Sequence, residues 1–168
     1  MSALLRRPFS APAFVFVLGL ATILGAWAFQ LVGGYVPCKL CLEERWPYYI
    51  GLPLALVALM AALSAAPAWV RRLALGLAAI VFLYGEYLGT YHACAEWGWW
   101  PGPSDCGTRG ASQATTGADL LKQLNGIRIV SCTEASWRMF GLSFAGWNAV
   151  ISAVLVLASL FGASRREA

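Results

Sequence analysis

The chain has 168 residues, of which 60% are apolar, 13% aromatic and only 12% charged, with a net charge of +4. A soluble domain carries about 25% charged residues, so this composition excludes a small soluble globule, a disordered chain and a nucleic-acid-binding module. The few charges are also unevenly placed. None occurs in 8–38, 46–70 or 139–164, and 73–95 holds one, Glu86. A helix crossing hydrocarbon about 30 Å thick needs about 20 residues, and each run is long enough. The runs are continuously apolar rather than alternating, which predicts helices and not barrel strands. The expected fold is all-α: a single-domain integral membrane four-helix bundle with two extracytoplasmic loops. Its spans are expected at about 13–33, 47–66, 70–92 and 143–163.

In chain order, the first run follows Arg6 and Arg7 and contains Ala26-Trp27-Ala28, which resembles a secretory cleavage site. The run stays apolar to Val36, which is long for a signal peptide, so an uncleaved span is expected. A first outward loop, about 34–46, carries Cys38, Cys41, Glu43, Glu44 and Arg45. In the second helix Pro47 suits the first turn, Pro53 predicts a kink and Pro67 helps end it. The third holds Glu86, with His92, the only histidine, at its outer end. An ionisable residue inside a span is a functional candidate by default, but a neutral carboxyl bonded to another helix is the favoured reading of Glu86. The second outward loop, about 93–142, holds Cys94, Cys106 and Cys132. Trp97, Trp99 and Trp100 read as an interfacial anchor rather than a docking patch. Gly102, Pro103, Gly107 and Gly110 keep the surroundings of Cys106 irregular and accessible. Residues 119–127 predict a short helix lying on the membrane, with Leu120, Leu121 and Leu124 on one side.

Lysine and arginine in short flanks set orientation. Arg6, Arg7, Arg71, Arg72, Arg165 and Arg166 fall in three segments that four spans place on one side, with Glu167 their only acid. Both termini are therefore expected in the cytoplasm and the cysteine loops outside. The arginine pairs are read as topology signals, not sites.

All five cysteines lie on the outward side, in a compartment where disulfides persist. Closing Cys38-Lys39-Leu40-Cys41 by a disulfide stabilises by about 2 kcal/mol in the chain-entropy model, against about 3.6 for the stretch from Cys106 to Cys132. A staple belongs on the longer loop. The tight pair suits exchange, because the second thiol is always in reach of a mixed disulfide. Four cysteines also suit zinc in number, but only one pair has finger-like spacing and the compartment is oxidising, so no metal is expected.

The segment Cys38-Lys39-Leu40-Cys41-Leu42-Glu43-Glu44-Arg45 resembles the C-x-x-C-x-x-E-R signature of the disulfide bond formation protein B (DsbB) family of membrane thiol oxidases. The likeness extends over nearly the whole chain in its four spans and its two cysteine-bearing loops. It implies catalytic cysteines Cys38, Cys41, Cys106 and Cys132. In the implied relay a periplasmic DsbA-like dithiol is oxidised by a Cys106–Cys132 disulfide, with Cys106 the attacked sulfur. Electrons then pass from Cys132 to Cys38, leaving Cys41 to face a membrane quinone, ubiquinone or menaquinone. The implied location is the bacterial inner membrane.

The resemblance also implies quinone-binding residues. Arg45 lies four residues after Cys41 and shares its helical face. A cation there lowers a thiol's pKa and holds a developing oxyanion. Glu44 matches the motif too, with pairing to solvent as the alternative. His92 resembles a histidine that the family places near the quinone ring. Cys94 falls outside the four-cysteine pattern and reads as a spare thiol. Gly141 to Trp147 resembles the family's approach to the fourth helix only loosely, since a proline expected there is missing. Two other functions fit the same features: a four-span scaffold stapled by disulfides, and a vitamin-K-epoxide-reductase-like quinone reductase.

Overall fold

The computed structural model describes residues 9–64, 66–102, 128–129 and 132–165. It contains long helices α1 (Ser10–Leu31), α3 (Trp46–Leu63), α4 (Ala68–Glu96) and α5 (Phe144–Ser164), with a short α2 (Lys39–Glu43) leading into α3. All four long helices have the length and apolarity to cross a membrane, α2 and α3 counting as the one span Lys39–Leu63. The fold is an all-α four-helix membrane bundle.

Helix ends differ from the sequence reading for local reasons. α4 starts at Ala68, directly after Pro67, and continues past His92 to Glu96. Pro47 sits in the first turn of α3, and Pro53 lies inside that helix without ending it. α5 begins without the expected proline because Ser143 supplies the N-cap: its backbone is extended and its hydroxyl accepts from the Gly146 N–H at 3.2 Å.

α4 is the central helix, packed against both α3 and α5, while α1 closes the bundle against α3 and α5. Val15, Tyr48, Phe82 and Leu155 from the four helices form the core. α4 and α5 touch at backbone distance. A Cβ on Gly89 would sit 2.9 Å from the Ala149 nitrogen, so only glycine allows this crossing.

The two ends of the bundle differ. At one end the buried Arg71, in the first turn of α4, donates to the Gly162 carbonyl at 2.9 Å and the Arg165 carbonyl at 3.4 Å. These are orphan acceptors at the end of α5. Arg71 is thus a structural cap as well as a charge. At the other end β1 (Tyr35–Val36) pairs in parallel with β2 (Arg128–Ile129), Tyr35 opposite Arg128. This backbone pairing ties the first loop to the second. β3 (Arg138–Met139) and β4 (Leu142–Ser143) form an antiparallel hairpin. Its two turn residues, Phe140 and Gly141, have φ of 52° and 84°, the left-handed pair that a two-residue hairpin turn requires.

Candidate functional site

The site lies at the loop end and begins with the turn that holds the C-x-x-C. Cys38 is the N-cap of α2, with extended backbone, and its sulfur accepts from the Cys41 N–H at 3.3 Å. That capping geometry folds the two thiols together. Their sulfurs are 2.9 Å apart and both are free thiols. The hydrogen bond from Cys41 is the main reason that the Cys38 pKa falls from 9.0 to about 5. Burial opposes the shift, and the hydrogen bond and charge of His92 add to it. Cys38 is therefore a thiolate at neutral pH, the form that exchanges with disulfides.

On one side Cys38 meets His92, whose Nε2 lies 3.9 Å from the sulfur. The other ring nitrogen, Nδ1, lies 2.7 Å from Glu44 Oε1. The carboxylate is held by the Asn148 amide, which donates to Oε2 at 3.1 Å. Glu44 is buried, so pairing with solvent is not its role. Glu96 Oε1 also approaches His92 Nε2, at 3.9 Å.

Cys132 completes this side. It is fully buried and disulfide-bonded. Its sulfur, the Cys38 sulfur and a His92 ring nitrogen all lie within 4.8 Å of one another. The same three atoms have the donor set of a metal site, but a disulfide sulfur is not the thiolate that a soft metal needs. Their spacing is what sulfur-to-sulfur exchange needs. Cys106 and the expected helix at 119–127 lie outside the described residues, as do Arg6, Arg7 and Arg166.

Cys41 points the other way. It lines a cavity of about 330 Å³ at the same end of the bundle. The cavity is walled mostly by apolar residues of α1 and α5 and the loop aromatics Tyr35 and Trp137. Its polar groups are few: Gln30, Glu44, Arg45, Tyr48 and Asn148 are the principal ones. Arg45 is buried and donates to Gln30 Oε1 at 2.6 Å and to the Ala26 carbonyl at 3.4 Å. Its guanidinium also lies 5.1 Å from the centre of the Trp27 ring. Arg45 and Cys41 thus face the same space, as their four-residue spacing suggests. Phe29, Trp137 and Phe144 cluster on its wall, with Trp137 stacked on Phe144 at 4.7 Å between centroids and Phe29 edge-on to Phe144.

His92 does not line this cavity. It contacts Cys38 and Glu44 instead, so it meets the sulfur rather than the space beside Cys41. Glu86 departs from its expectation: it accepts from Thr90 Oγ1 at 2.9 Å, within α4 rather than across helices. Cys94 is free and buried. Trp97, Trp99 and Trp100 are all exposed.

The sequence reading passed over Gln30, Tyr48 and Asn148. Asn148 and Gln30 are amides inside long charge-free runs, where a polar side chain is costly unless bonded. That signal was available.

Four apolar helices that hold a free dithiol against a disulfide at one end define a multi-pass membrane thiol–disulfide redox protein. A family model described as disulfide bond formation protein DsbB matches residues 8–162, and the chain belongs to that family. It is also 26% identical over 136 residues to the uncharacterized protein RP370 of Rickettsia prowazekii (strain Madrid E), covering 79% of this chain and 74% of that protein. No solved structure matches it.

Proposed function

We propose that this chain is a quinone-linked thiol oxidase that reoxidises a DsbA-like periplasmic partner. The observation that carries the reading is the double contact of Cys38: Cys41 at 2.9 Å on the cavity side and the Cys132 sulfur within 4.8 Å on the other. A purely structural staple has no use for a free dithiol backed by a buried Glu44–His92 pair.

The exchange balances as follows. A thiolate of the partner attacks Cys106 of a Cys106–Cys132 disulfide and frees Cys132. The partner's second thiol resolves the mixed disulfide, so the partner leaves oxidised and Cys106 is reduced. Cys132 attacks Cys38 of the Cys38–Cys41 disulfide and displaces Cys41 as a thiolate, and Cys106 then attacks Cys132, restoring the Cys106–Cys132 disulfide and freeing Cys38, so that the two electrons rest on the Cys38–Cys41 dithiol. The thiolate-stabilising surroundings of Cys38 make it a good sulfur to pass between two partners. Cys41 is then the donor sulfur on the cavity wall.

The cavity fits a quinone in its chemistry. Its size lies in the range of small-ligand sites, its walls are apolar, and its polar groups converge on one sulfur. When bound, a quinone supplies an acceptor for two electrons and two protons. Arg45 would hold developing negative charge on its oxygen, with Glu44, Tyr48 and Asn148 the other polar groups lining the same cavity. His92 would stabilise the Cys38 sulfur rather than touch the ring. The arginine distribution favours both termini in the cytoplasm and the cysteine loops in the periplasm, in a bacterial inner membrane.

Quinone absorbance tests the reading. Purified, oxidised protein in detergent receives a short-chain quinone and a reduced DsbA-like partner. Wild type is expected to bleach the quinone in step with partner oxidation, and Cys41→Ser is not. An oxidised wild type that leaves the quinone unchanged overturns the proposal.

A further inference from the structure

A hydrogen-bonded chain runs from the middle of the bundle to the Cys38 sulfur, and its inner members belong to no motif in the sequence. Tyr48 Oη lies 2.7 Å from Asn148 Oδ1 and 3.3 Å from Ser152 Oγ. The Asn148 amide lies 3.1 Å from Glu44 Oε2, Glu44 Oε1 lies 2.7 Å from His92 Nδ1, and His92 Nε2 faces the Cys38 sulfur. Tyr48 and Ser152 are buried.

Donor and acceptor counting gives the chain a direction. An ionised Glu44 only accepts, so Asn148 must present its NH₂ to it. That leaves the amide oxygen toward Tyr48, which must donate. The Tyr48 oxygen is then free to accept from Ser152. On the far side, Glu44 accepts from Nδ1–H, and Nε2–H is left to the sulfur.

We propose that Asn148, oriented by Tyr48, is a positioning residue for Cys38. It holds the Glu44 carboxylate in place, and the carboxylate fixes the His92 ring with Nε2 toward the sulfur. The groups that face Cys38 are Cys41 from α2, His92 from α4 and Cys132 from the second loop, with Tyr91 packed beside them. Glu96, also on α4, sits at the same ring nitrogen as Cys38 and competes for its proton. A ring that tilts toward Glu96 would abandon the sulfur, so the anchoring of its other edge decides which acceptor it serves. Removing the Asn148 amide frees the Glu44 carboxyl to turn, loosens the His92 ring that it anchors and so weakens the contact of that ring with the Cys38 sulfur.

Asn148 and Tyr48 also line the cavity beside Cys41. On the quinone reading, which this consequence rests on, a carbonyl or hydroxyl bound there competes for the same amide. Cavity occupancy and Cys38 ionisation are then linked, and the linkage is reciprocal.

The test is a thiolate titration of fully reduced, full-length protein in detergent without quinone. Far-ultraviolet thiolate absorbance is followed against pH, with Cys38→Ala subtracted. Wild type is expected to be half ionised near pH 5. Asn148→Leu should raise the midpoint by about half a unit, lowering the thiolate fraction at pH 5 about twofold, and Tyr48→Phe should lower that fraction about 1.4-fold. Unchanged midpoints in folded variants overturn the proposal. Should Asn148→Leu not fold, Tyr48→Phe decides, since it removes one hydroxyl only. A second arm adds a short-chain quinol, which takes no electrons from reduced protein. It is expected to move the wild-type midpoint and not that of Asn148→Leu. Midpoints moved by both substitutions but untouched by quinol uphold the positioning role and overturn the quinone assignment of the cavity.

Discussion

Cys38 and Cys41 stand three residues apart on one helical turn, yet they occupy two different chemical environments. Cys38 sits against His92 and a disulfide sulfur, backed by a chain of buried polar groups. Cys41 sits on the wall of a mostly apolar cavity, with Arg45 facing the same space. The thiol hydrogen bond between them and the bond from the Cys41 N–H to the Cys38 sulfur join the two sides. The difference teaches how the two thiols of one C-x-x-C can be set in unlike surroundings. On the proposed reading, one sulfur is tuned for exchange with a disulfide and the other is presented to a lipid-soluble acceptor.

The strongest way to break this comparison is to delete one sulfur at a time. Cys38→Ser should abolish both exchange with Cys132 and quinone reduction. Cys41→Ser should abolish quinone reduction but leave Cys38 able to attack Cys132, trapping a Cys38–Cys132 disulfide and freeing Cys106. Mass spectrometry of non-reduced peptides, run beside quinone absorbance, reads both. A Cys41→Ser protein that still reduces quinone ends the assignment of the cavity side.

Arg45→Met comes next in size. It removes the cation from the cavity side only, so quinone reduction should fall about a hundredfold. The rate of Cys38–Cys132 exchange should stay within about twofold of wild type, since Arg45 makes its hydrogen bonds to Gln30 and Ala26. Equal loss in both assays would show that Arg45 supports the fold rather than the cavity. Stopped-flow exchange with the quinone omitted separates the two.

His92→Leu acts on the other side, and its effect is a pH shift. The Cys38 pKa is lowered, so its thiolate persists above about pH 5 and is lost as pH falls through that value. An ordinary thiol at 9.0 would be almost wholly protonated at neutral pH. The Cys41 hydrogen bond, the larger cause, survives the substitution, so only part of the shift should be lost. We expect the midpoint of exchange to rise by about one unit, with about a fivefold loss at pH 5 and little loss above pH 7. A pH-independent loss would instead mean that His92 acts through packing.

The two sides were not equally legible in the sequence. The four helices follow from three charge-free runs and one that holds only Glu86, because hydrocarbon disfavours unpaired charge, and Cys41 with Arg45 follows from four-residue spacing on a helix. Both are local. The Cys38 side is assembled from residues distant in sequence: Glu44 to His92 and Glu44 to Asn148 cross between helices. No periodicity encodes which faces of α3, α4 and α5 meet, so the contacts of His92 with the Cys38 sulfur and with Glu44 were not legible. The parallel pairing of β1 with β2 was hidden for the same reason. Asn148 and Gln30 advertised themselves, as amides in apolar runs. The replacement of a missing proline by the Ser143 cap shows a second kind of miss, in which one helix-start device substitutes for another.

Cys94 supplies the smallest effect and the sharpest control. It is a third free thiol, buried in α4 two residues from His92. Its backbone carbonyl accepts from the Trp99 N–H at 3.0 Å. No described hydrogen bond joins its sulfur to the Cys38–His92–Glu44 chain. Proximity in sequence and burial are thus the same as for its neighbours, while the connection to the relay is missing. Cys94→Ala should leave the Cys38 midpoint and quinone reduction unchanged and lower stability by about 1 kcal/mol, the cost of a small buried truncation. A thermal melt beside the pH titration measures both. If Cys94→Ala moves the Cys38 midpoint as far as His92→Leu does, general packing at this end of α4 sets the thiol's acidity, and the contrast between the two sulfurs loses its chemical basis.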